Sequence, residues 1–261
     1  MLWIIILSVI ALIGFILLTI ALIEPHRPEF TRVRLTENGG EPSLRILFFS
    51  DIHIEMCYVG SDYICGLIKQ EKPDIVLFGG DVSSYPKHVE NGIRYLTKIS
   101  ECCKVLNIPF IGVTGNHDID LTEEQEKQCG FGNIENRYVT YGDYVLSGLD
   151  DSGRLERVWY TPVEVPADKK HILVVHDPDA ISHIEDTKRI DYMLSGHIHG
   201  GQIRTPFRLE FYIRKDDLPR KGIFKGKHLI GNTVVYISRG LGCAKLPVRL
   251  GSRPEVSILE F

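Results

Sequence analysis

The chain has 261 residues, 44% of them hydrophobic and 25% charged, with a net charge of −4. That balance leaves room for one sizeable globular core. It gives no sign of a nucleic-acid partner, and none is expected. The first element is Leu2 to Ile23, which carries no charge and is long enough to cross a hydrocarbon layer as a helix. No basic start precedes it and no small-x-small pattern closes it, so it reads as an anchor rather than a cleaved signal peptide. Residues 1–23 are therefore expected to form a single-pass transmembrane helix. Arg27, Arg32 and Arg34 follow it, which places the large C-terminal part in the cytoplasm by the positive-inside tendency.

Residues 24–43 are rich in Pro, Gly and charge and read as a linker ending in a short strand. Residues 44–261 read as the folded domain. From Leu44 a rhythm begins. "LRILFF" is followed by "SDIH", "DIVLF" by "GGD", "IPFIGV" by "TGNHD", "HILVV" by "HDP" and "DYML" by "SGHIHGG". Five times an apolar run of strand length ends in a turn bearing Asp, His or Asn. The runs are continuous rather than alternating, as strands buried on both faces require.

Helical patterns lie between them. Ser61 is expected to cap a helix with Ile64, Leu67 and Ile68 on one face. Ile93, Leu96, Ile99, Cys103 and Leu106 mark a longer one. Thr122 and Gln125 form a capping box for a third. Pro178, after Asp177, suits the first turn of a fourth. Strand–turn–helix repeats imply an α/β sandwich with ligands beyond the carboxyl ends of the strands. "RYVTYGDYVLSGLDD", "TVVYISRG" and "EVSILEF" read as strands of a second sheet. The six cysteines show no disulfide framework and no C-x-x-C pair, and most of them read as small core hydrophobes in a reducing compartment.

The strand ends collect Asp51, His53, Asp81, Asn116, His117, Asp118, His176, His197 and His199. A lone Asp after a strand is usually a cap, and a lone His in a loop is usually solvated. Their joint position at one end of five strands argues for a site. Gly80, Gly115 and Gly196 stand where close backbone approach needs them. Two carboxylates, one amide and several imidazoles, without thiolates, suit Mn²⁺, Fe²⁺ or Zn²⁺. About seven donors exceed the four of a closed structural zinc site, and are enough for two ions with open positions. Two divalent ions, two carboxylates and a bridging hydroxide leave a net charge near ~+1, which favours a bound phosphate. Ions roughly 3.5–4 Å apart would clamp that anion and generate the hydroxide at neutral pH.

The blocks Asp51-Ile-His53, Gly80-Asp81, Gly115-Asn116-His117-Asp118, His176 and Gly196-His197-Ile-His199 together resemble the calcineurin-like metallophosphoesterase superfamily. "GGQIRTP" and "SRGLGCAKLPVRLGSRPE" are similar to its small bacterial membrane-associated branch of phosphodiesterases. The resemblance implies a four-layer α/β/β/α sandwich of the metallo-dependent phosphatase type. It implies that Asp51, His53 and His199 hold one ion, that Asn116, His176 and His197 hold a second, and that Asp81 bridges them. It makes His117 a catalytic group over the substrate and Asp118 the residue that orients it. It departs at Val175, where many relatives carry Ser. The implied activity is hydrolysis of a phosphodiester by in-line attack of a metal-bridging hydroxide. One alternative is a lipid-linked pyrophosphate as substrate, as for the UDP-diacylglucosamine hydrolases. Another is an inactive metal-binding scaffold at the membrane, against which the full ligand set argues.

Other features say less. Between Arg204 and Lys227, eight Lys or Arg face three acids, which suits either a basic rim for anionic lipid or a solvated loop. Arg239, Arg249 and Arg253 suit either substrate phosphate or surface acids. His26, His88, His171, His183 and His228 read as surface or packing residues.

Overall fold

In the computed structural model, which describes residues 1–36, 40–118, 121–150, 162–184, 187–213 and 216–261, the apolar runs form strands that bury both faces. Strand β2 (Arg45–Phe49) shows the logic, since successive side chains leave a strand on opposite sides. Leu47 and Phe49 pack outward against helix α2 (Ser61–Glu71) and helix α3 (Val89–Val105), meeting Ile64, Ile68, Ile93, Leu96 and Ile99. Ile46 and Phe48 pack inward against Ile172, Val174, Leu194 and Tyr236 of a second sheet. Each such fully buried side chain contributes about 1.5–3 kcal/mol.

In chain order, helix α1 (Leu2–Ile23) leads into β1 (Glu29–Arg34) and then β2. After α2 come β3 (Ile75–Gly79), α3, β4 (Phe110–Val113), α4 (Glu123–Cys129) and β5 (Gly132–Asn133). There follow β6 (Tyr138–Tyr141), β7 (Tyr144–Gly148), β8 (Lys170–Val174) and β9 (Tyr192–Ser195). Short helices α5 (Glu210–Ile213) and α6 (Asp217–Arg220) precede β10 (Gly226–Ile230), β11 (Thr233–Ile237) and β12 (Glu255–Glu260). One sheet has the order β1-β12-β2-β3-β4-β5, the other β10-β11-β9-β8-β7-β6. The outer face of the second sheet, with Leu173, Val175, Met193, Val235 and Ile237, is covered by Ala180, Ile181, Phe211, Leu218 and Phe224. The result is the four-layer α/β/β/α sandwich.

Several local expectations hold. The Thr122–Gln125 capping box is formed in full, and α3 buries Ile93, Leu96, Ile99 and Cys103 as expected, while Leu106 is its exposed C-cap. Others shift. Gly60, with φ −70° and ψ 150°, takes the N-cap position of α2, so Ser61 is the first helical residue and caps nothing. Pro178–His183 is a 3₁₀ run rather than an α-helix, with Asp177 accepting from the Asp179 amide at 2.9 Å. A short link whose carboxylates turn to nearby amides favours such tight turns.

β6, β7 and β11 join the second sheet, but β12 does not. The chain after β11 first hydrogen-bonds to β2's exit, Leu241 N to Ser50 O at 3.0 Å and Gly242 N to Asp51 O at 2.7 Å. β12 is thus laid antiparallel beside β2 and, on its other edge, parallel to β1. β1 lies within the stretch that reads as linker. Helix α1 is exposed along most of its length, with Ala21 its buried residue.

Candidate metal centre

β2, β3 and β4 are parallel, as are β7, β8, β9 and β11. Asp51, Asp81 and Asn116 follow β2, β3 and β4; His176 follows β8, and His197 and His199 follow β9. The two sheets bring these loops together at one edge. His197 N donates to Asp51 Oδ1 at 2.9 Å, and His176 Nδ1 donates to the Gly79 carbonyl at 2.7 Å.

Two clusters result, Asp51–His53–His199 and Asp81–His176–His197, with the ligand atoms of each within 4.8 Å of one another. In the first, His53 Nε2 is 3.1 Å from His199 Nε2, which is 3.5 Å from Asp51 Oδ1. In the second, His176 Nε2 is 3.1 Å from Asp81 Oδ2. That same oxygen is 3.3 Å from His53 Nε2, so Asp81 stands between the clusters. Asn116 Oδ1 joins the second through His197 Nδ1 at 2.8 Å. All seven expected ligands are therefore gathered at one place.

The backbone is bent to do this. Asp51, His53, Asp81, His197 and His199 all have positive φ, from 40° to 67°, at roughly 1–3 kcal/mol each. The glycines make room. A Cβ at Gly196 would lie 2.5 Å from Asp51 Oδ2, and one at Gly115 would collide with the Asp81 carboxylate.

The donor set fits divalent ions. The Gly79 carbonyl accepts, so His176 Nδ1 keeps its proton, and Nε2 is the nitrogen that would give up its proton to offer a lone pair to a metal. That atom is buried with no hydrogen-bond partner, as a metal-facing nitrogen is. Burial raises the Asp81 pKa, but the His176 and His53 charges outweigh it and hold the carboxyl well below the usual range. A cation already stabilises that carboxylate in the place where an ion would bind.

His117 is exposed, with its ring centroid 5.2 Å from that of His53. Its amide donates to Asp81 Oδ1 at 2.9 Å. Partial burial lowers its pKa, and the charges of His53, His176 and His197 push the same way against Asp81. Asp118 is elsewhere engaged. It accepts from the amides of Asp81 (2.8 Å), Val82 (2.8 Å) and Gly115 (2.9 Å), and its hydrogen bonds do not run to the His117 ring. Burial and the Asp81 charge push this carboxyl up to about 7. Its place is beneath the Asp81 turn, because three converging amides are stronger partners than an exposed ring.

Sequence reasoning missed several neighbours. Ser50 donates to Asp51, Ser84 pairs with His53 Nδ1 at 2.8 Å, and Asp216 lies 3.7 Å from His197 Nε2. Nothing in their spacing marks the two serines, and Asp216 is hidden in the basic stretch. Arg239 and Arg253 pair with acids, Arg239 with Glu29 and Glu255, and Arg253 with Glu29. Arg249 is fully buried. It donates to the carbonyls of Arg239, Gly242 and Ser252, and reaches within 3.3 Å of His199 Nδ1.

A profile of the calcineurin-like phosphoesterase family matches residues 44–201. The chain is 28% identical over 243 residues to the uncharacterized metallophosphoesterase YkoQ of Bacillus subtilis (strain 168), covering 88% of each chain. It is 29% identical over 269 residues to YkuE of the same organism, covering 92% of this chain and 87% of that one. It is 27% identical over 261 residues to the phosphodiesterase YaeI of Escherichia coli (strain K12), covering 91% and 90%.

Proposed function

The chain belongs to the calcineurin-like phosphoesterase family of metal-dependent phosphoester hydrolases, and we propose that it is a membrane-anchored phosphodiesterase working with two divalent ions. The observation that carries this reading is Asp81 Oδ2 standing between two histidine-bearing clusters, with the buried His176 Nε2 3.1 Å from it and making no hydrogen bond. Asp51, His53 and His199 would hold one ion, Asn116, His176 and His197 the other, and Asp81 would serve both. The donors suit Mn²⁺, Fe²⁺ or Zn²⁺. When bound, such a pair supplies Lewis acidity to phosphoryl oxygens and lowers the pKa of water.

The chain's own groups do the rest. Asp51 and Asp81 are the acidic ligands, so the site keeps positive charge for an anionic ester. The positive-φ turns fix the ligands before substrate arrives, which limits reorganisation during reaction. His117 stands at the exposed side, within reach of a phosphoryl group. There its ring N–H contacts a phosphoryl oxygen or passes a proton to the departing alcohol oxygen. The phosphodiesterase name of YaeI supports a diester. Helix α1, uncharged over 22 residues and almost wholly exposed, supports the anchor, and Arg27, Arg32 and Arg34 support a cytoplasmic domain.

The test uses the full chain in detergent, stripped by chelator and resupplied with metal, on chromogenic mono- and diesters. Metal restores turnover, the diester is preferred, and Asp81→Ala lowers the rate at least about a hundredfold. Turnover indifferent to chelation would contradict the reading.

A further inference from the structure

The register of the first sheet fixes where the membrane helix meets the domain. Ser257 of β12 pairs with Phe48 of β2 and with Thr31 of β1. Two residues further along, Glu255 pairs with Glu29, the first residue of β1. β1 therefore begins level with Ser50 and Asp51, at the edge that carries the metal ligands. Only Glu24 to Pro28 separate it from α1.

This connection is fastened rather than loose. Pro25 is buried, the Glu24 carboxylate accepts the Ser252 amide at 3.3 Å, and the Arg253 side chain donates to the Arg27 carbonyl at 2.8 Å. The Arg249 amide donates to the carbonyl of Ala21, in α1's last turn, at 3.0 Å. The guanidinium of the same residue lies 3.3 Å from His199 Nδ1. One arginine thus reaches from the end of α1 to a metal-site histidine.

The loops at this edge expose apolar side chains. Tyr58 follows β2 and lies against His26, with ring centroids 4.2 Å apart and the rings tilted by 42°. Tyr85 follows β3, Phe207 and Leu209 follow β9, and Leu246 follows β11. Phe207 is 90% exposed. The Leu246 loop is held in place by the Gln202 amide, which donates to the carbonyls of Ala244, Leu246 and Val248. Exposed Lys87, Arg204, Arg208 and Lys245 lie on the same loops. Aromatic and apolar tips among cations are the chemistry of an interfacial surface, with the rings at headgroup level and the cations on anionic lipid.

We propose that this edge lies against the surface of the membrane that α1 crosses, and that the substrate is a phosphoester borne by a lipid of that membrane. The inference rests on the anchored phosphoesterase reading and names the substrate class for the same site. Water's oxygen bonds to phosphorus, the P–O bond to one alcohol breaks, and a water proton goes to that alcohol. The ester is drawn from the bilayer rather than from solution.

The test is a matched pair of chromogenic diesters, hexadecyl and methyl p-nitrophenyl phosphate, offered to the full chain reconstituted in vesicles with metal. The expected kcat/KM is at least tenfold higher for the hexadecyl ester. Phe207→Asp combined with Leu246→Asp abolishes that preference while the methyl ester is still cleaved. Val105→Asp, exposed at the far end of α3, leaves the preference in place. Equal kcat/KM for the two esters, or a preference that survives in the double variant, overturns the inference and leaves the phosphoesterase reading standing. Absence of metal-dependent hydrolysis of either ester strikes at that reading itself.

Discussion

Asp118 and His117 are neighbours in sequence and part company in space. The Asp118 carboxylate ties down three backbone amides under Asp81. In Asp118→Asn an NH₂ would face at least one of those amides, leaving a buried donor unpaired at about 1–3 kcal/mol. The expected result is a melting temperature several degrees lower and weaker metal retention, read by thermal unfolding and elemental analysis. His117→Ala should leave both unchanged and lower turnover by roughly 10²–10⁴ on a poorly activated leaving group. Full activity there would remove His117 from the reaction. The seven candidate ligands could be picked out in the sequence because each stands in a Gly-flanked or polar turn after an apolar run. The role of Asp118 was not, because backbone amides leave no trace in the side-chain pattern. Arg249 was equally hidden, since a guanidinium buried among carbonyls reads in sequence like any surface arginine.

Among the elements, strands buried on both faces announced themselves, and the Thr122 capping box was visible as a spacing. The N-terminus of α2 was less so, because Gly60 caps through its backbone alone and offers no side chain to notice. β1 was the hardest to place. None of its six residues is fully buried, only Arg32 and Arg34 are exposed, and its partner β12 lies more than two hundred residues away. The pairing has a practical consequence. A chain beginning at Ala21 keeps β1, buried Leu35 and the contacts of Ala21 and Glu24 with the domain. It should fold and retain metal-dependent turnover. A chain beginning at Leu44 loses all of these and exposes the edge of β12. Its stability should fall by at least about 3 kcal/mol from lost apolar burial alone, measured by urea unfolding. Equal stability of the two would show that β1 contributes nothing to the sandwich.

At the scale of the molecule, the five site-bearing strands were legible in order but not in partition. Three lie in one sheet and two in the other, and local sequence does not encode which sheet a strand joins. The division matters, because the centre forms where the carboxyl ends of both sheets meet. One sheet brings Asp51, His53, Asp81 and Asn116, and the other brings His176, His197 and His199. Asp81 links the halves through His53 on one side and His176 on the other. The most direct test of this account is the metal content of the full chain, saturated with Mn²⁺ or Zn²⁺ and freed of excess. Two ions per chain are expected, with Asp81→Ala losing at least one of them. One ion or fewer at saturation in the unaltered chain would contradict the account.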